Sequence, residues 1–462
     1  MSFCMTGMDS IVESGELGIV VHANHPMILL ANTLRWTRLV EIVLPDLKNS
    51  GQGFWWRGPR LSLRIHLAIF ILQARYQLTD RGVVDSVSHN AAFQLFCGRG
   101  IVKNWSVPDH TAVGRFRNRL SPETQRQICI DSIGTANELG FADPSWMDID
   151  STVQEANMAY PSDACLMKKL AFMAKKIVDH LSQKTRGLLP DGFVVDVASI
   201  SKKAKDYFFL ARNACINKKR EVFKQFHQLV KREVYPVLDL IGLIDSRRLN
   251  TFPAHIRRTI DQFSNGKRYL LDVAHFIRTH TIKAGKILSL HAREVTCICK
   301  GKLGKDNEFG RVFQLGRIGG NFLIPLACHA IRMEDKSSLV PFIKEHIRIF
   351  GAGQLNSLGT DKGYYSKANV AAAAKHGISE IGIQCPGNTK VNSKRQDPEL
   401  ARRLRDRRAG IEPLIGHIKQ MGLKRSRMKS DRATLASGYR SVLAFNIRQV
   451  ERHILGKVGK AA

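Results

Sequence analysis

The sequence predicts an α/β protein: a mixed sheet flanked by helices, preceded by a helical domain and interrupted early by an all-helical insertion. Three observations carry this expectation. Residues from about 30 to 140 read as successive short helices. At Pro144 the texture changes to alternating polar and apolar residues. A long lysine-rich helical stretch, about 164–290, then separates the first strand from a run in which strands and helices alternate. With 462 residues and 44% hydrophobic content, the chain is long enough for two or three domains with real cores.

Taken in order, Leu61 to Leu78 is an amphipathic run that ends at Thr79-Asp80, where a new helix can be capped. Helical patterns follow around Gly82–Ser88 and Ala91–Cys97. Asp109 caps a segment reaching Leu120 whose Arg115, Arg117 and Arg119 form a basic cluster. Ser121-Pro122-Glu123 supplies a cap, a first-turn proline and a first-turn acid for the next helix. Short helices with basic tips suit a helix-turn-helix-like DNA reader as well as a helical packing module. Ser145 to Val153 alternates as a strand. After the helical insertion, Arg311–Ile318 and Asn321–Ile331 read as strands joined by a Gly319-Gly320 turn. Val340–Phe350 reads as helix, Gln354–Thr360 as strand, Ala368–His376 as helix and Glu380–Gln384 as strand. A basic loop, a helix around Glu412 and a last helix, Ala433–Ile454, complete the chain. The expected divisions are 1–140 as the helical N-terminal domain, 141–165 with 291–430 as the core, 166–290 as the insertion, and 431–462 as a C-terminal basic helix.

The formal net charge is +31. A field of that size implies a polyanionic partner, nucleic acid first, because neutralised phosphates release counterions. A membrane surface is the other polyanion, but the longest strongly apolar run, Leu67 to Leu72, is far short of a span. The N-terminus lacks a cationic region followed by an apolar stretch, so the cytoplasm is the expected compartment. Nine cysteines without a CxxC pair argue against a disulfide framework and a zinc finger. Cys297 and Cys299, in an apolar alternating stretch, are expected to be buried thiols.

The segment from Pro386 to Lys460 holds nineteen Lys or Arg against six Asp or Glu. Within it, Arg408, Glu412 and Lys419 share one helical side. With Glu412 at zero and about 100° per residue, Lys419 falls near −20°, Arg408 near −40° and Arg405 near +20°. Ile411, Leu414, Ile418 and Met421 fall on the opposite face. Pro413 complicates a single helix through this stretch. The same phase also suits an ordinary ion pair on a solvated basic face. Two strand-end aspartates, Asp150 and Asp361, are the other candidates for one site. Carboxylates converging at a sheet edge suit Mg²⁺, which retains waters and accepts phosphate oxygens as further ligands. Asp148 shares a strand face with Asp150, and spacing alone leaves both open.

The chain resembles DDE transposases of bacterial insertion sequences, in the broad superfamily of insertion sequence five and its relatives. The resemblance is carried by Asp150-Ser-Thr-Val-Gln-Glu through Pro161-Ser-Asp163, then Lys300-Gly-Lys302 with Glu308-Phe-Gly-Arg-Val312. It continues in Thr360-Asp-Lys-Gly-Tyr364 and in Arg408-x3-Glu412-x6-Lys419. The stretch from His25-Pro26 to Arg119 is similar to the helical domain these enzymes carry ahead of the core. The resemblance implies an RNase H-like core and a catalytic, metal-binding triad of Asp150, Asp361 and Glu412, deciding for Asp150 over Asp148. It implies Arg408 and Lys419 as phosphate contacts, and Mg²⁺, with Mn²⁺ as a substitute, as the cofactor. The partners implied are terminal inverted repeats and target DNA, bound by at least a dimer. Arg405 stands where such proteins commonly have a tyrosine. The rival expectations are a DNA-binding protein of transposase descent without catalysis, and an RNase H-like nuclease acting on branched or RNA–DNA substrates.

Overall fold

The structure is a computed structural model that describes residues 21–48, 60–98, 107–184, 192–213, 215–292, 295–302, 305–328, 333–387, 397–428 and 430–461. It divides into two compact units, Met1–Glu155 with Gly310–Ala462, and Ala156–Phe309.

The first unit opens with the helices Pro26–Thr33, Trp36–Lys48, Arg60–Tyr76, Asp80–His89, Ala91–Phe96, His110–Arg119 and Pro122–Glu138. Their starts follow the expected capping chemistry. Thr79 accepts from Gly82 N–H, Asp109 from Thr111 N–H and Ser121 from Thr124 N–H, each satisfying an otherwise orphaned donor. The Arg115–Arg119 cluster does not form one basic surface. Arg117 turns inward to Asp80 and Gln73, while Arg115 stays exposed.

Six strands are found among the described residues. β1 is Asp143–Glu155; β2, Thr296–Lys302, and the start of β3, Lys305–Gly319, are neighbours in the second unit. β4 is Phe322–Pro325, β5 Ser357–Thr360 and β6 Glu380–Gly382. In the first unit the order is β3-β1-β5-β6, with β4 paired to β3. β1 runs antiparallel to β3 and parallel to β5, and β5 parallel to β6, so the sheet is mixed as expected. The β3–β4 connection is one residue later than the glycine pair suggested: Gly320 and Asn321 form the two-residue loop, with φ of 75° and 62°. β4 stops at Pro325 and 326–328 are not strand, while 329–331, the end of the expected strand, lie outside the described residues.

Successive β3 side chains face opposite layers. On one side, Gly316 leaves room for Phe342 of the Asp335–Phe350 helix. On the other, Phe313 lies against Gly438 of the last helix, Asp431–Ala461, and edge-on to Tyr439. That helix is packed into the core through Tyr439, Val442, Phe445 and Val450, and its Asn446 amide brackets Leu323 N–H and C=O. The N-terminal helices share this same core: Arg126 reaches Glu345 at 2.6 Å and the Pro325 carbonyl, and Arg75 pairs with Glu451.

The second unit contains the helices Asp163–Lys184, Val197–Asn213, Ile216–Gly242, Ser246–Thr251, Ala254–Phe263 and Gly266–Thr279 around a separate core that includes Met167, Phe226, Phe263 and Tyr269. Cys297 is half-buried rather than buried, and the Cys299, Lys300 and Lys302 side chains lie outside the described residues.

His346, fully buried, donates from Nε2 to the Pro144 carbonyl at 2.8 Å and so fixes the start of β1. Burial pushes its imidazole down to about 4. Because the folded value lies below the unfolded one, its contribution is complete above about pH 6.5 and is lost as pH falls toward 4. Between pH 7 and pH 5 the wild type is expected to lose about 2 kcal/mol more than His346→Gln. Urea melts at both pH values check this; parallel losses would sink it.

Candidate active site

Trp146, Asp148 and Asp150 alternate along one face of β1, the face covered by the Pro398–Ala409 helix. Their fates differ by depth. Asp148 is fully buried and lies opposite Arg317 of β3 and Gly359 of β5. Its Oδ1 accepts from Arg407 Nε at 3.0 Å and Nη2 at 2.9 Å, while Arg317 Nη1 stands 3.8 Å from Oδ2. Both guanidiniums stack on the Trp146 ring, 4.8 and 5.2 Å from its centre. Arg407 also donates to Ser357 Oγ, tying the helix to β5. Burial raises the Asp148 carboxyl above its usual range despite Arg407 beside it. Two glycines make room for the cluster: a side chain at Gly359 would meet Asp148, and one at Gly410 would meet Arg317.

Asp150 lies just past the β1–β5 pairing, whose last register pair is Ile149 with Thr360. The same register brings Asp361, the next residue of that chain, alongside Asp150. Asp361 caps the short 3₁₀ turn Lys362–Tyr364. That turn is anchored by buried Tyr364, whose hydroxyl donates to Gln314 Oε1 at 2.6 Å, and by Asn369 Nδ2, which donates to the Tyr364 carbonyl. Burial raises the Asp150 carboxyl, Arg408 opposes that rise and the neighbouring Asp361 charge adds to it.

Glu412 comes from a second helix, Ile411–Ile418. The helical stretch breaks at Gly410, so Pro413 falls in a first turn, where proline is tolerated. The break does not separate Arg408 from the acids. Arg408 Nη2 lies 3.1 Å from Asp150 Oδ2 and 3.3 Å from Glu412 Oε1. Burial works against the Arg408 charge, yet Asp150, Asp361 and Glu412 together raise its basicity. Lys419, half-buried, follows this helix at the start of a π-helical turn, Lys419–Leu423. Seven residues of helix place it about 10 Å along the axis from Glu412.

A solvent-open cleft borders Asp361 and Arg408 and is lined also by Lys362, Gln384 and Arg405, among others. Arg405, at the position where a tyrosine was expected, is exposed on this cleft beside Asp406. Three carboxylates are, in kind, a suitable oxygen set for a hard divalent cation. Among the described residues, however, no three His, Cys, Asp or Glu side chains stand close enough to ligate one ion. Arg408 occupies the space between Asp150 and Glu412. The ionic cluster of Trp146, Asp148, Arg317 and Arg407 was not anticipated; the only local sign was an acid two residues from Asp150 on the same strand face.

Residues 16–119 match the family model described as "Transposase domain (DUF772)", and residues 338–447 match the "Transposase DDE domain". The second match spans Asp361, Arg408, Glu412 and Lys419; Asp150 lies ahead of it. Over 169 residues the chain is 23% identical to the uncharacterized protein ORF8 in the nfe locus of Rhizobium meliloti, covering 36% of this chain and 79% of that protein. No solved structure matches the chain.

Proposed function

We propose that this chain, a DDE transposase of an insertion element, cuts DNA at the ends of its own element and joins the freed 3′-hydroxyl to target DNA at the Asp150–Asp361–Glu412 site. The observation that carries the reading is the meeting of Asp150 and Glu412 on one guanidinium, with Asp361 alongside, at an open cleft lined by further cations. The family generally uses divalent metal ions, and Asp150, Asp361 and Glu412 would hold Mg²⁺, or Mn²⁺ in its place, by their oxygens. Such an ion supplies Lewis-acid polarisation of the attacking oxygen and the phosphate. The protein's own share is orientation and charge. Tyr364 and Asn369 hold the turn that presents Asp361, and Arg407 holds the end of the helix that presents Arg408, one break before the helix that carries Glu412. Arg408, by its planar fork, and Lys419, as a point charge, would take phosphates on either side of the scissile bond.

Residues 1–140 would read the terminal inverted repeats, consistent with the transposase domain matched there. Bringing two ends together calls for at least a dimer on DNA, and the nucleoid would be the working location. No helix among the described residues is long and apolar enough to cross a membrane.

Asp361→Asn and Glu412→Gln are expected to bind end-containing DNA as the wild type does. Each should lose Mg²⁺-dependent nicking by about a thousandfold, several kcal/mol of lost ion-assisted stabilisation. Nicking at the wild-type rate by either purified variant would remove that residue from the site. One observation favours a second reading, a transposase-derived DNA-binding protein without catalysis: Arg408 lies between two of the proposed ligands. End binding by the wild type with no nicking in either Mg²⁺ or Mn²⁺ would select it.

A further inference from the structure

Arg407 and Arg408 are neighbours with opposite modes of attachment. Arg407 presents two nitrogens, Nε and Nη2, to one buried carboxylate oxygen and Nη1 to Ser357, as a fixed strut would. Arg408 reaches both of its acids through Nη2 alone, at 3.1 and 3.3 Å, and its buried Nε finds no acceptor among the described residues. A guanidinium held by one shared nitrogen, with its fork unused, is poised to exchange. One guanidinium also leaves the three carboxylates in excess of local positive charge. The cleft beside it offers Arg408 somewhere to go, toward Arg405 and Lys362, where an incoming phosphate would meet all three cations.

We propose that Arg408 is a resident counter-ion of the acidic site, and that it leaves Asp150 and Glu412 when a DNA phosphate enters the cleft, so that a divalent ion is taken up only with DNA in place. The exchange leaves every charge with a partner: the divalent ion takes the place of the singly charged guanidinium among three carboxylates that one guanidinium leaves in excess, and the guanidinium gains the phosphate. The proposal rests on the reading that Asp150, Asp361 and Glu412 are ion ligands. Its consequence is that metal and DNA bind with positive, reciprocal coupling, and that Arg408 carries that coupling.

Mn²⁺ binding to the full chain, read from the paramagnetic signal of the free ion, tests this without any turnover. Wild type should bind Mn²⁺ about tenfold tighter with a short duplex than without it, within the range usual for coupled sites. Asp361→Asn with the same duplex serves as the blank for ions held by DNA itself. Arg408→Gln should bind Mn²⁺ about tenfold tighter than wild type in the absence of DNA and respond little to duplex. Arg408→Lys, which keeps the charge, should restore the wild-type pattern. If Arg408→Gln does not fold, the duplex dependence of the wild type alone decides. Equal affinity with and without duplex, or equal affinity of wild type and Arg408→Gln, overturns the exchange and leaves the ligand assignment standing. No Mn²⁺ bound by any form, with or without DNA, overturns the ligand assignment and the exchange together.

Discussion

Asp150→Asn is expected to abolish DNA cleavage while leaving the protein as stable as the wild type or more so. The catalytic loss follows from removing a carboxylate charge from the group that would hold the ion. Several kcal/mol of lost transition-state stabilisation is about a thousandfold in rate, at 1.36 kcal/mol per decade. The stability gain follows from burial. With a folded-state carboxyl raised above its unfolded value, chiefly by desolvation, the charged form of Asp150 is a cost to folding. A raised carboxyl contributes stability that is present below the unfolded value and lost as pH rises through the folded one. Asparagine escapes that loss, so the melting-temperature difference between Asp150→Asn and wild type should grow from acid toward neutral pH. Glu412 still receives Arg408 in the variant, which keeps the guanidinium paired. Parallel nicking assays and melts over that pH range check both halves. A variant that cleaves normally, or that melts lower than wild type at neutral pH, would contradict the account.

Local chemistry was legible in the sequence where neighbours in the chain decide the structure. The helix starts at Thr79, Asp109 and Ser121 each depend on one side-chain oxygen and a backbone N–H two or three residues later. The Arg408–Glu412 relation was legible for the same reason, although phase assumed one continuous helix and the chain instead breaks at Gly410. That break lets Pro413 start a new helix without turning Arg408 away. The hairpin was found but misplaced by one residue, because Asn321 takes the left-handed conformation that was assigned to a glycine. Long-range pairings were not legible. Asp148 and Asp150 are the same residue type on the same strand face. What separates them is Arg317, set opposite Asp148 by strand register, and Arg407, set beside it by the packing of a helix 259 residues along the chain. Arg117 is a similar case: it looked like part of a DNA-facing cluster until Asp80, 37 residues earlier, drew it inward.

The same contrast predicts that Asp148→Ala fails in the opposite way from Asp150→Asn. Asp148 is the buried anion that both guanidiniums stacked on Trp146 face. Removing it leaves two like charges half-buried against one ring, with Arg407 reduced to its bond to Ser357 and Arg317 to its bonds to the Arg407 carbonyl and Asn321. Breaking a buried pair from one side typically costs about 3–5 kcal/mol, since the remaining charge is left uncompensated. Asp148→Asn is expected to cost less than half of that. It keeps a carbonyl oxygen for Arg407 and relieves the burial penalty that raises the Asp148 carboxyl. Cleavage should also fall in Asp148→Ala even below its melting temperature. Arg407 fixes the end of the helix that presents Arg408 and, one break later, Glu412. Denaturant melts of the three forms, with nicking rates at a temperature where all are folded, test the assignment of Asp148 as a positioning residue. If Asp148→Ala melted like the wild type while cleavage vanished, Asp148 would belong with the reacting groups. If stability fell and the folded fraction still cleaved at full rate, the ionic cluster would hold the fold without setting the site.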